Sequence, residues 1–297
     1  MKHSHVFMRF PGGRYKAVSF TFDDGSEQDE WVVGLLRRLG LKGTFNLNMG
    51  LLPPDDGFDF SALDPAVFPA RDYCQRRLSL RRICELFADS GMELASHGYL
   101  HAELTRLDDE GVLWEVLRDR AELEHITGES VRGFAYPQGA YNEHIANILR
   151  SAGIEYARTA EMSGSFALPH DLMQWRPTCH YASDDALKLA EKFRAAVPDS
   201  GIYMPGAEAK LFTVFGHSYE LEYNKNYDKL ERLADALAHM EDTWYCTFIE
   251  YSRYAHAFAS LDYDLSRTHV RNDSALPVWI FANGRVSEVP PGEVIEI

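Results

Sequence analysis

The adjacent carboxylates Asp23 and Asp24, in Thr21-Phe22-Asp23-Asp24-Gly25, follow directly on the apolar run 17–22. The C-terminal ends of strands are where parallel α/β folds build active sites. Two neighbouring carboxylates can divide labour there: one binds a cation, and the other accepts a proton from a water that the cation polarises. An isolated Asp-Asp-Gly is equally a turn with a helix N-cap, so the pair gains meaning only with further ligands. His97 and His101 are candidates for these, following the run 92–95 with Gly98-Tyr99-Leu100 between them. Histidines at this spacing can aim two imidazoles at one ion. One carboxylate and two imidazoles leave open positions on a tetrahedral or octahedral ion, as a hydrolytic site requires for water and substrate. His217, in Phe215-Gly216-His217-Ser218-Tyr219, comes just past a late apolar run. An imidazole titrating near neutrality can protonate a leaving amine, although a satisfied core histidine fits the same pattern.

These residues need a scaffold that brings strand ends together. Apolar, β-rich runs recur at 17–22, 44–47, 92–95, 131–136, 211–215 and 244–249. Between them, 30–39, 110–126, 143–152, 184–196 and 229–240 carry apolar residues at helical spacing. The alternation predicts a parallel sheet with crossover helices, and periodicity alone suits either an open doubly wound sheet or a barrel. The stretch 51–71, rich in Pro, Asp and Phe, reads as a long surface loop that walls a site. A closing βα unit is expected at 244–261. After it, Asn283-Gly284 between two apolar runs predicts a hairpin, because both turn positions need positive φ. The expected organisation is one α/β unit over 1–262 and a small β appendage over 263–297. That hairpin is read as structural, with an exposed edge that hints at a homo-oligomer contact.

Composition excludes several functions. With 30 Lys+Arg against 45 Asp+Glu, the 297-residue chain has a formal charge of −15, which repels nucleic acid and anionic membranes. Neither a signal-peptide core nor a membrane-spanning run is visible, so a cytoplasmic location is expected. Cys74, Cys84, Cys179 and Cys246 lack both metal-site pairing and the density of a disulfide scaffold.

Taken in order, the Asp-Asp motif, the spaced histidines and the late histidine resemble the polysaccharide deacetylases of NodB homology. The resemblance runs from about Ala17 to Glu220 and includes Phe134-Ala135-Tyr136-Pro137-Gln138-Gly139, which is similar to that family's third motif. It implies a distorted, TIM-like (β/α) barrel of about seven strands. By resemblance Asp23 is the general base, Asp24, His97 and His101 are the metal ligands, and His217 is the general acid. Tyr136, Pro137 and Gln138 would line the substrate groove, with the Gln138 backbone N–H facing the oxyanion. This sequence departs from the family pattern in several places. Ala135 stands where many members have an arginine that orients the base, a role for which Arg176 in Trp175-Arg176-Pro177 is the expected substitute. Gly98 replaces Ser or Thr, Gln138 replaces a tyrosine, and the surroundings of His217 differ.

The implied reaction is metal-dependent hydrolysis of an acetyl group, N-acetyl by preference, from a sugar or oligosaccharide. Nitrogen ligands favour Zn2+, while Co2+, Ni2+, Mn2+ or Fe2+ suit the same donors. Tyr99, Tyr136 and Tyr219 are candidates to stack on sugar rings, and core packing would explain each equally well. Two other readings stay open: an amidase or cyclic-imide hydrolase acting on a non-sugar, and a carbohydrate-binding protein without turnover. Against the latter stands the joint presence of base, ligands and acid.

Overall fold

A computed structural model describes residues 5–53, 76–198 and 207–297. Most of the expected loop at 51–71, and Cys74, lie outside these. In chain order the strands and helices are β1 (Val6–Arg9), β2 (Lys16–Asp23), α1 (Asp29–Arg38), β3 (Gly43–Leu47), α2 (Leu80–Phe87), β4 (Glu93–Ser96), α3 (Asp109–Thr127), β5 (Gly133–Ala135), α4 (Glu143–Ser151), β6 (Tyr156–Arg158), β7 (Cys179–His180), α5 (Ala186–Ala195), β8 (Lys210–His217), α6 (Tyr219–Asn224), α7 (Tyr227–Leu237), β9 (Thr243–Tyr245) and α8 (Phe248–Ala259). Five short strands complete the chain: β10 (Asp262–Tyr263), β11 (His269–Arg271), β12 (Val278–Ala282), β13 (Arg285–Val289) and β14 (Val294–Glu296).

The main sheet runs β6-β5-β4-β3-β2-β8-β7, with β9 against the start of β2. Every pairing in it is parallel. Its two edges are joined by one irregular stretch. Trp175 bridges Arg158 of β6, and a few residues on, Cys179 and His180 pair with β8. The result is the distorted barrel that the family resemblance implies.

Strand β2 shows how the sequence sorts its side chains. Successive residues point to opposite faces. Val18, Phe20 and Phe22 pack with Val32, Val33, Leu35 and Leu36 of α1, and with Phe45. Ala17 instead joins the cluster of Tyr156, Trp175, Leu211 and Phe248 inside the barrel. Burying each of these phenylalanines contributes about 1.5–3 kcal/mol, so a one-residue slip would forfeit the whole face. The same alternation turns Thr21 and Asp23 inward, which explains why the run ends in a buried carboxylate.

Local signals set the helix ends. Asp108 accepts a hydrogen bond from the Gly111 N–H at the start of α3, and Gly128, at φ 69°, ends it. The run 244–249 divides rather than forming one strand: β9 stops at Tyr245, and Thr247 with Glu250 forms a capping box that starts α8. Asn283 and Gly284 have φ of 52° and 79° in the β12–β13 turn, as the hairpin signal requires. That hairpin also recruits β1 from the other end of the chain, pairing antiparallel with β12. The remaining strands form a third sheet, β10-β11-β14. Val278, Ile280 and Val289 share a core with Phe10, Tyr251 and Tyr254.

Candidate active site

The carboxylate of Asp23 lies at the C-terminal end of β2, between strands β3 and β8, whose Asn46 and His217 are its register partners. Asn46 donates to Asp23 Oδ1 at 2.8 Å, and His97 Nε2 and His217 Nε2 each stand 3.9 Å from Asp23 Oδ2. The guanidinium of Arg158 grips both carboxylate oxygens. Burial pushes this carboxyl up, but Arg158, His97 and His217 outweigh it and hold Asp23 well below the usual carboxylate range.

Asp24 has φ 80°, which turns its side chain away from the strand's alternation. Its Oδ1 lies 3.1 Å from Arg77 Nη2 and 3.8 Å from His101 Nε2. Burial raises its carboxyl; Arg77 first, then the histidines, reverse this and lower it. One ligand atom each from Asp24, His97 and His101 falls within 4.8 Å of the others. His97 Nδ1 is 2.8 Å from the Ala135 carbonyl. A carbonyl only accepts, so Nδ1 carries the proton and Nε2 keeps the lone pair that a metal needs. Burial also drives the imidazole of His97 down to about 4, which keeps it neutral. Donor types, spacing and tautomer therefore fit a divalent cation.

The two histidines are not on a helix. Gly98 at φ 76° and His101 at φ 58° bend the loop after β4, and a Cβ at residue 98 would lie 3.2 Å from Glu115 Oε2. Glycine in place of the family's Ser or Thr thus suits this backbone. Asn48 donates to the carbonyls of His97 and Gly98, both at 2.7 Å, and accepts from Arg77 at 2.9 Å. Asp119, buried in α3, accepts from Ser96 Oγ at 2.6 Å and from the Met49 N–H at 2.7 Å. These contacts brace the loop that carries His97 and His101 against its neighbours.

His217 Nδ1 is 3.1 Å from Glu220 Oε1, and the other oxygen of Glu220 is 3.0 Å from His180 Nε2. Burial lowers the pKa of His217, but Glu220, Asp23 and Asp24 together raise it above the ordinary histidine value. Glu220, raised by burial but lowered further by both histidines, sits at about 2 and stays anionic.

Two expectations need correction. Arg176 does not reach Asp23: it is half-exposed and pairs with Glu161. Arg158 does so, and the register gives the reason, since Arg158 on β6 is paired with Ala135 on β5. The cation missing from position 135 is supplied by the next strand, directly opposite. Tyr136 does not present a face to a groove. It is 1% exposed, its hydroxyl donates to the Met173 carbonyl at 3.0 Å, and its ring stacks on Tyr141. Pro137 is buried beside it, whereas Gln138, at φ 58°, is exposed at the tip of the turn. Tyr99 is half-buried and edge-on to Trp114, and the half-buried Tyr219 has its ring 5.1 Å from that of His217. Sequence reasoning missed Arg158, Asn46, Arg77, His180 and Glu220. Only Glu220 had a visible signal, an acid three residues after His217 at the start of a helix.

Comparisons with known proteins agree with this architecture. Residues 10–157 match the family described as polysaccharide deacetylase. A structure of a polysaccharide deacetylase from Mycobacterium smegmatis superposes with a TM-score of 0.53 at 17% identity, covering 86% of this chain and 95% of that one, and so shares its fold. A family 4 carbohydrate esterase from Streptomyces lividans, solved with acetate, matches at a TM-score of 0.44 and 15% identity over 75% of this chain and 88% of that one. A deacetylase from Streptococcus pyogenes, also solved with acetate, matches at 0.38 and 20% identity over 48% of this chain, which spans about half (55%) of that protein. Curated proteins give no match. Among the described residues, no helix is long and apolar enough to cross a membrane. The chain belongs to the polysaccharide deacetylase family of NodB homology.

Proposed function

We propose that this protein is a metal-dependent hydrolase that removes an acetyl group, N-acetyl by preference, from a carbohydrate. The observation that carries this is the placement of Asp23 Oδ2 between His97 Nε2 and His217 Nε2, 3.9 Å from each. A base is thereby flanked on one side by a candidate metal ligand and on the other by a candidate acid. Membership of a deacetylase family supports the acetylated carbohydrate as substrate.

Asp24, His97 and His101 would hold the cation, with zinc favoured by the two imidazoles. When bound, it supplies Lewis-acid polarisation of the acetyl carbonyl and lowers the pKa of water. Asp23, kept ionised by Arg158, accepts a proton as water adds to the carbonyl carbon. Asn46 and Arg158 fix the direction of its lone pairs, so little reorganisation accompanies the transfer. The Gln138 N–H, at the exposed turn after β5, is the proposed donor to the oxyanion. His217, protonated with help from Glu220, gives its Nε2 proton to the sugar nitrogen as the C–N bond breaks. Acetate and a free amino sugar leave.

The test is acetate release from a panel of N- and O-acetylated sugars, with and without added zinc, using Asp23→Asn as control. Zinc-dependent release that the variant loses supports the reading and names the substrate class. Failure to release acetate from any sugar by metal-loaded protein overturns it in favour of a non-sugar amide.

A further inference from the structure

Apart from the Asp24, His97 and His101 group, one more set of ligand-bearing side chains converges among the described residues. His180 at the end of β7, His217 at the end of β8 and Glu220 in the first turn of α6 each offer an atom within 4.8 Å of the others. We infer that this set is a second divalent-metal site, and that a zinc-like cation bound there switches hydrolysis off by taking the His217 nitrogen that faces away from Asp23.

The geometry sets Glu220 between the two histidines. Glu220 contacts His180 Nε2 at 3.0 Å through one oxygen and His217 Nδ1 at 3.1 Å through the other. Ligand atoms around a tetrahedral zinc with 2.0–2.1 Å bonds lie about 3.3 Å apart, so small side-chain shifts admit the ion. Two imidazoles and one carboxylate repeat the donor types of the first group and suit a borderline cation. The strands preset the arrangement. His180 pairs in register with Phe215, which places His217 two residues further along β8 on the same face. The His180 ring is fixed edge-on to Phe215 at 5.0 Å. All three side chains are between 21% and 27% exposed, so an ion can arrive from solvent and a water can complete its shell.

Without a second ion, His217 Nδ1–H donates to Glu220, and Nε2 faces Asp23. When a cation binds Nδ1, a metal–nitrogen bond forms and the Nδ1 proton passes to solvent. The ring is then neutral with its single N–H on Nε2, a proton held far too tightly to be given to a departing amine. Binding at this site is independent of the reaction; the inhibition rests on the acid role proposed for His217.

The experiment uses the full chain, dialysed against zinc and analysed for bound metal, beside a zinc titration of acetate release. Wild type should bind two equivalents, and both His180→Gln and Asp24→Ala should bind one. In His180→Gln the amide still donates to Glu220 but ligates zinc poorly; His180→Ala, checked for folding by circular dichroism, is the second variant. Acetate release should rise with the first equivalent and fall about a hundredfold with the second, the low end of what a general acid contributes. His180→Gln should keep the rise and lose the fall. One equivalent in wild type, or two in both His180 variants, overturns the site. Two equivalents with no acetate from any substrate upholds the site and overturns the hydrolytic role.

Discussion

Replacing Arg158 by methionine separates the two arginines that could serve the base. Arg158 and Asp23 have side chains only 2% and 4% exposed, and the ion pair is closed on both carboxylate oxygens. Removing one partner of a buried pair leaves an uncompensated charge and costs about 3–5 kcal/mol. With an unfolding entropy of about 2.1 cal/mol/K per residue, each kcal/mol moves the Tm of a 297-residue chain by about 1.6 °C, so Arg158→Met should lower Tm by about 5–8 °C. The assay is thermal and urea unfolding in a chelator, so that metal binding does not mask the loss. Asp23→Asn combined with Arg158→Met removes the orphaned charge and should restore most of the stability. Turnover should fall with Arg158→Met as well. Burial then acts on Asp23 with less opposition, its pKa rises, and the ionised base is lost at higher pH as pH falls. The acid limb of kcat/KM should therefore move up. Arg176→Ala, at the surface, should stay within about 0.5 kcal/mol of wild type and keep turnover. An Arg158→Met protein that unfolds like wild type, or an Arg176→Ala protein that loses turnover, would refute the assignment.

Further outcomes follow from other parts of the molecule. Glu220→Gln removes the anion that raises the His217 pKa; because the acid form is lost as pH rises through that pKa, the alkaline limb of kcat should move to lower pH. Asp29 is fully buried, and burial, which outweighs the lowering by the Ser218 hydroxyl and is reinforced by the nearby Asp24 and Asp23, raises its pKa to about 8. The folded state then binds one more proton than the unfolded chain between about pH 4 and 8, and stability falls as pH rises across that window, by up to about 5 kcal/mol. Asp29→Asn should flatten this slope in denaturant melts of metal-free protein. Tyr136→Phe loses one buried hydrogen bond to Met173 and about 1 kcal/mol, with KM unchanged, because the ring is structural. Truncation after residue 262 strips β1 of its partner β12 and uncovers Phe10, Tyr251 and Tyr254, so the shortened chain should be insoluble or molten in circular dichroism.

The linear sequence by itself determined the order of the catalytic candidates and the α/β class. Asp23, Asp24, His97 and His217 are legible because each follows an apolar run, and a chain that alternates such runs with amphipathic helices must deliver strand ends to one side of a parallel sheet. The β12–β13 hairpin is legible because Asn-Gly supplies both positive φ values locally. Strands β6 and β7 are three and two residues long, too short for any periodicity to show. Arg158 nevertheless closes on Asp23, and His180 on Glu220. Arg158 matters only because sheet register sets it against Ala135, and His180 only because β7 lies beside β8. Tyr136 shows the converse: its motif points to a groove, but packing turns the ring into the core. Local propensity is written residue by residue, whereas register and packing arise from contacts between segments distant in the chain. Which cation faces Asp23 was therefore decided by the tertiary structure alone.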